Sequence, residues 1–135
     1  MANALYTRGR EAFLAGDIDW ENDTIKVVLV DSADYTLDID NHDNLDDIPS
    51  GARVATSAAL TGKTVTGGVA DAADVTISSV SGDQFEYIII YKDTGTESTS
   101  KLIACLDTAT GLPCTPNDGD VSIQWSNDAS KIFKL

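Results

Sequence analysis

Phe85-Glu86-Tyr87-Ile88-Ile89-Ile90-Tyr91-Lys92 is the stretch on which the reading of the fold turns. Its centre is β-branched and apolar on both faces of an extended chain, which predicts a strand crossing the middle of a core. Turn formers close it on both sides. Ser81-Gly82-Asp83 precedes it, and Asp93-Thr94-Gly95-Thr96 follows it.

Working outward, Ile25, Val27 and Leu29 alternate with Lys26 and Val28 in a second β-branched run bounded by aspartates. Arg53 to Leu60 and Lys63 to Val69 read as two weaker strands joined at Thr61-Gly62. Val75 with Ile77, Leu102 to Leu106, Val121 to Trp125 and Ile132 to Leu135 complete a set of about eight short strands separated by Gly, Asp and Asn turns. No helical segment of useful length falls between them, which excludes a parallel α/β fold. The expected class is all-β, a β-sandwich of jelly-roll type.

Helix is expected only at the start of the chain. Asn3 can cap, Ala4 to Leu14 tolerate helix, and Gly16 supplies a stop, although Gly9 weakens the middle by about 1 kcal/mol relative to Ala. A short helix and an ordered arm fit this stretch equally. The organisation is therefore an N-terminal helix or arm over 1–20 and one sandwich domain over 21–135, a length at which a single core suffices. Two loops, Asp34 to Ser50 and Thr108 to Asp120, exceed what a sandwich needs, and loops of that length usually carry function.

Composition limits the partners. Twenty-two acids against nine Lys and Arg give a net charge of −13, and a polyanion would be repelled almost everywhere, so nucleic acid is not an expected partner. No apolar run approaches a membrane span, and Arg8 and Arg10 follow Leu5 and Tyr6 where a secretion signal would place an apolar region. Membrane association is not expected, and synthesis in the cytoplasm is.

The chemistry-bearing residues are few. His42, the single histidine, lies in Asp40-Asn41-His42-Asp43-Asn44 with no nucleophile signature, and is expected to be an exposed loop residue. The acidic stretch Asp38 to Asp47 suggests calcium, but counted from Asp38 the sixth and twelfth positions of an EF-hand loop are Asp43 and Pro49 rather than Gly and Glu. Gly62-Lys63-Thr64 lacks the earlier glycine and the helix of a phosphate loop. Cys105 and Cys114 with one histidine do not make a zinc set; Cys105 is expected as a buried thiol. Trp20 and Trp125 are expected in core or interface packing rather than as a sugar platform, Trp125 as a core residue in phase with Ile123 and Val121. No cofactor, metal site or catalytic residue is expected.

Several phrases taken together carry a resemblance. They are Met1-Ala2-Asn3-Ala4-Leu5-Tyr6, Trp20 with Thr24-Ile25-Lys26-Val27-Val28-Leu29-Val30-Asp31, and Leu45-Asp46-Asp47-Ile48-Pro49. Gly68 to Val75, Ile90 to Gly95, Trp125-Ser126-Asn127 and Lys131 to Leu135 extend it over nearly the whole chain. The chain resembles small virion structural proteins of tailed bacteriophages, of the kind encoded near the capsid genes.

That resemblance implies a capsid decoration, or cement, protein: a non-enzymatic sandwich body that sits on the outer shell, often as a homotrimer, with the major capsid protein as partner. It also implies that an N-terminal segment or a loop makes the contact, and the residues expected to carry it are Leu5, Tyr6, Arg8, Arg10, Phe13 and Leu14. The other expectation for this segment is packing on its own sandwich. A tail, head-completion or head-fibre role in the same virion is the near rival. A carbohydrate-binding sandwich module and a small hydrolase are the distant ones.

Overall fold

The computed structural model describes residues 3–127, Ala129 and 131–135, so Met1 and Ala2 of the opening phrase lie outside the described residues. The chain is an all-β, sandwich-like fold with one short helix. In order the elements are β1 (Ala4–Leu5), α1 (Thr7–Leu14), β2 (Ile25–Val30), β3 (Arg53–Thr56), β4 (Thr64–Thr66), β5 (Val69–Asp71) and β6 (Val75–Ile77), followed by β7 (Tyr87–Lys92), β8 (Leu102–Leu106), β9 (Val121–Ile123) and β10 (Phe133–Lys134). They form a five-stranded sheet in the order β1-β8-β7-β2-β3, a three-stranded sheet β10-β5-β4 and a pair β6-β9, with every pairing antiparallel. A jelly roll divides its eight strands between two Greek-key sheets; this distribution is different, and sandwich-like is the description that holds.

The centre is β7 against β2, paired residue for residue from Ile25 opposite Lys92 to Val30 opposite Tyr87. Successive side chains of a strand leave on opposite faces, and here both faces are apolar. Ile25, Val27, Leu29, Ile88 and Ile90 point into one core, which the two smaller sheets complete with Ala70, Ile77, Ile123, Trp125 and Phe133. Val28, Val30, Ile89 and Tyr91 point into a second core on the reverse face.

Among the described residues no sheet covers that reverse face. The long loop after β2 does. It lays Tyr35, Leu45, Ile48 and Ala52 over Val28, Val30 and Ile89, with Leu37 and Ile39 half-buried at the margin. Arg53 staples the loop: its Nε donates to the Ile48 carbonyl, one terminal nitrogen reaches the carbonyls of Leu45 and Ile48, and the same nitrogen meets Glu97 Oε1 at 2.9 Å. The segment read as a long acidic loop is thus an apolar lid with an acidic outer surface.

Two strand expectations need correction. Neither Arg53 to Leu60 nor Lys63 to Val69 is one continuous strand. The first runs along β2 and breaks at Ser57, whose buried hydroxyl accepts from the Val27 amide at 2.9 Å while Ser57 N and Leu60 N still donate to the Val27 and Ile25 carbonyls. The second splits at Gly67-Gly68, both at positive φ, into the β4–β5 hairpin. A tight turn of two left-handed residues selects glycine, which explains the break.

The start of the chain is both strand and helix. Ala4 and Leu5 pair with Cys105 and Ala104. Asn3 does not cap the helix; its Oδ1 accepts from the amides of Asp107 and Thr108, both at 2.9 Å, and so prolongs the strand pairing. The helix starts at Thr7 after an extended Tyr6 and stops where expected, at Gly16 (φ +80). Gly9 is where α1 meets the sheet: a Cβ there would lie 2.5 Å from the Leu102 carbonyl oxygen. Gly9→Ala should therefore destabilise the fold by about 1–3 kcal/mol through overpacking, against the gain of about 1 kcal/mol that helix propensity alone would give. Urea denaturation of the two proteins reads the sign directly.

Candidate functional site

The six residues expected to make a partner contact separate in space. Tyr6 is fully buried on the reverse face of the sheet, and its amide donates to the Ile103 carbonyl at 2.9 Å, so its side chain serves the chain's own core. Phe13 is half-buried against Phe133, ring centroids 5.7 Å apart, and Leu5 packs at the margin of the front core. Arg8, Arg10 and Leu14 are exposed, Leu14 at 89 %. Arg8 pairs with Glu11 at 3.1 Å, and Arg10 donates to Thr7 Oγ1 at 3.3 Å. The segment is packed on its own sheet, and three of the six side chains face outward.

The same fold brings together residues that sequence spacing did not. Tyr6 Oη lies 3.0 Å from Tyr35 Oη, and Tyr35 Oη lies 2.8 Å from His42 Nδ1, with the Tyr35 and His42 rings stacked. Burial first, and then the neighbouring phenol and Cys105, push Tyr6 far above the ordinary tyrosine value; burial does the same to Tyr35 against the opposing effect of its bond to Tyr6. His42 is half-buried in this chain of contacts, a correction to the expectation of a plainly exposed loop residue. The Asp38 amide donates to His42 Nδ1 at 3.3 Å. An Nδ1 that accepts places the neutral ring's proton on Nε2, the reverse of the tautomer a triad histidine needs to act as base. The arrangement anchors the lid.

The lid's carboxylates are engaged with the lid itself. Asp38 accepts from the side chain and amide of Asn41 and from the Asp40 amide. Asp40 accepts from Thr7 Oγ1 at 2.8 Å, which ties the lid to the start of α1. Asp47 Oδ2 accepts from the amides of Asp43 and Asn44. Burial pushes Asp47 up, but those two amides and His42 outweigh it and leave the carboxyl below its ordinary value. Three other acids, Asp31, Asp34 and Asp83, bring carboxylate oxygens within 4.8 Å of one another at the end of the sheet. They lie outside the 38–47 stretch that had suggested calcium.

The remaining candidates fall into the core. Trp20 and Trp125 are both buried and donate their indole N–H groups to the carbonyls of Asp71 and Ala73 at 3.0 and 3.1 Å. A sugar platform needs exposed rings, and these two are not. Cys105 and Cys114 are free thiols; burial pushes the Cys105 thiol up to about 12, which removes its reactivity near neutrality. Among the described residues no helix is long and apolar enough to cross a membrane. The chain matches no protein-family model, and no curated protein matches it in sequence.

Two measurements test the lid's attachment. Tyr35→Phe leaves the buried Tyr6 hydroxyl without its partner and should cost about 1–3 kcal/mol, whereas Tyr6→Phe leaves Tyr35 bonded to His42 and should cost less; urea midpoints rank the two. Because Asp47 sits below its ordinary value of 3.8, its contribution is fully present above that pH and is lost as pH falls through the depressed value. Asp47→Asn should therefore flatten the acid limb of the stability curve, followed by tyrosine near-UV dichroism from pH 6 downward.

Proposed function

We propose that this chain is a non-enzymatic capsid decoration protein of a tailed bacteriophage, one that binds the outer shell through the major capsid protein and acts there with copies of itself, as a homotrimer. The observation that carries the reading is the sequence resemblance over nearly the whole chain, and the surface gives it physical support. Both faces of the main sheet are covered from within the chain, which leaves sheet edges and the exposed side of α1 for contacts. There Arg8, Arg10 and Leu14 stand on a helix anchored at Gly9 and Tyr6.

A charge of −13 keeps such a body soluble and apart from nucleic acid at high concentration. Symmetry multiplies a modest contact many times over a shell, so a small interface on each copy stabilises the particle appreciably. A tail, head-completion or head-fibre role shares all these properties. It differs in copy number.

Quantitative mass spectrometry of purified particles, scaled to the major capsid protein, separates the readings. One copy per capsid subunit, or a simple fraction matching symmetry junctions, is the expected result. A handful of copies would assign the protein to the tail or portal region. Absence from particles would overturn the virion reading and return the carbohydrate-binding and hydrolase alternatives.

A further inference from the structure

His42 is the single histidine of the chain, and the fold gives its ring one defined task. Nδ1 accepts from the Tyr35 hydroxyl at 2.8 Å and from the Asp38 amide at 3.3 Å. An amide can only donate, so it fixes Nδ1 as the acceptor and makes Tyr35 the second donor. With its own hydrogen committed to His42, Tyr35 Oη accepts from the Tyr6 hydroxyl, 3.0 Å away. Both hydroxyl hydrogens thus point outward, from the buried Tyr6 to the ring.

Imidazole is the side chain that ordinarily takes up a proton between about pH 5 and 8. In His42 that proton has one place to go, because Nε2 already carries the other. It lands on Nδ1, and donor then faces donor. The Asp38 amide cannot reverse. Tyr35 can turn its hydroxyl toward Tyr6, but the Tyr6 hydrogen then loses its acceptor, Tyr35 Oη, on a side chain with no solvent exposure. A buried polar group left unpaired is costly.

The charges around the ring do not restore the contact. Asp38 and Asp47 attract an imidazolium, and Asp40 and Asp43 flank it along the chain. All four belong to the same loop as the ring, so their attraction follows it wherever it turns. From α1, Arg8 and Glu11 are held to each other at 3.1 Å, and they share a cleft with Lys101, Asn41 and Asp43. From the sheet, Tyr87 lies against Tyr35 and Cys105 lies near Tyr6; burial keeps both uncharged near neutrality.

We propose that His42 is a proton-operated latch: neutral, it fastens the turn of residues 38–42 to Tyr35, and protonated, it lets go. Other bonds set what stays fastened. Arg53 still holds the carbonyls of Leu45 and Ile48, and the Ile39 carbonyl still accepts from the Thr7 amide at 2.9 Å. Release is therefore local, and the β2–β7 pairing does not feel it. The latch needs nothing from the decoration reading.

NMR of the purified full chain, titrated from about pH 8 to about pH 5, tests the latch. At the start the ring nitrogen shifts should show the Nε2–H tautomer. As the ring takes up its proton, the Asp38 and His42 amides should exchange with water about tenfold faster or more, after correction for the intrinsic pH dependence, while β2 and β7 amides stay unchanged. His42→Asn supplies an oxygen that accepts without titrating, and should remove the acceleration. An Nδ1–H tautomer at the start, a ring that stays neutral throughout, or a ring that titrates with lid exchange unchanged would each overturn the proposal. Equal acceleration in His42→Asn would overturn it in favour of a lid carboxylate. The first three outcomes need only the unsubstituted chain, so the test stands even where the variant does not fold. Failure to find the protein in particles leaves all these readouts intact, so the two readings fail separately.

Discussion

The structure depends on the six-residue pairing of β2 with β7, in register from Ile25 opposite Lys92 to Val30 opposite Tyr87. Ile25, Val27, Val28, Leu29 and Val30 are all fully buried, as are Ile89 and Ile90. Each side chain of that size contributes about 1.5–3 kcal/mol when taken from water, but only if something covers both faces. That constraint organises the rest of the chain. The small sheets close the front, and the lid closes the back.

The N-terminal segment joins these two solutions. Tyr6 belongs to the back core, while Ala12 and Phe13, a few residues on, belong to the front. The segment can serve both because it crosses the outer edge of β8, first as a strand beside Cys105 and Ala104, then as a helix over Leu102 and Ile103. Gly9 makes the crossing possible. The same arrangement blocks most of an edge that would otherwise invite pairing with another chain, and the Thr7 amide beyond β1 donates to the Ile39 carbonyl of the lid at 2.9 Å.

Polar groups follow the apolar plan. The lid's acids accept backbone amides of the lid itself, and Arg53 holds the lid's turns to the loop that carries Glu97. The chain of Tyr6, Tyr35 and His42 then leads from the interior to the lid surface, so that a phenol buried in the back core still has a partner. Asp93 follows the same rule at the other end of β2: the Lys26 ammonium at 2.8 Å, and the Gly95 amide after it, hold its carboxyl below the ordinary value.

By itself the sequence determined the all-β class, the central strand, the helix stop at Gly16 and the burial of both tryptophans. Each of these is carried by local periodicity or by a residue whose backbone freedom is local. The register of Ile88-Ile89-Ile90 was legible as two-faced burial, but not what lay on each face. Only the tertiary structure decided that Asp34 to Ser50 is a lid, because its apolar residues are spaced irregularly and make sense only against Val28, Val30 and Ile89. The same holds for Gly9, which reads as a helix weakness and works as a close approach, and for His42, whose partners lie 7 residues away at Tyr35 and, through it, at Tyr6, a further 29 residues back along the chain. Pattern along a chain reports which side chains avoid water. Which of them meet is set by how the strands pair, and that information is not local.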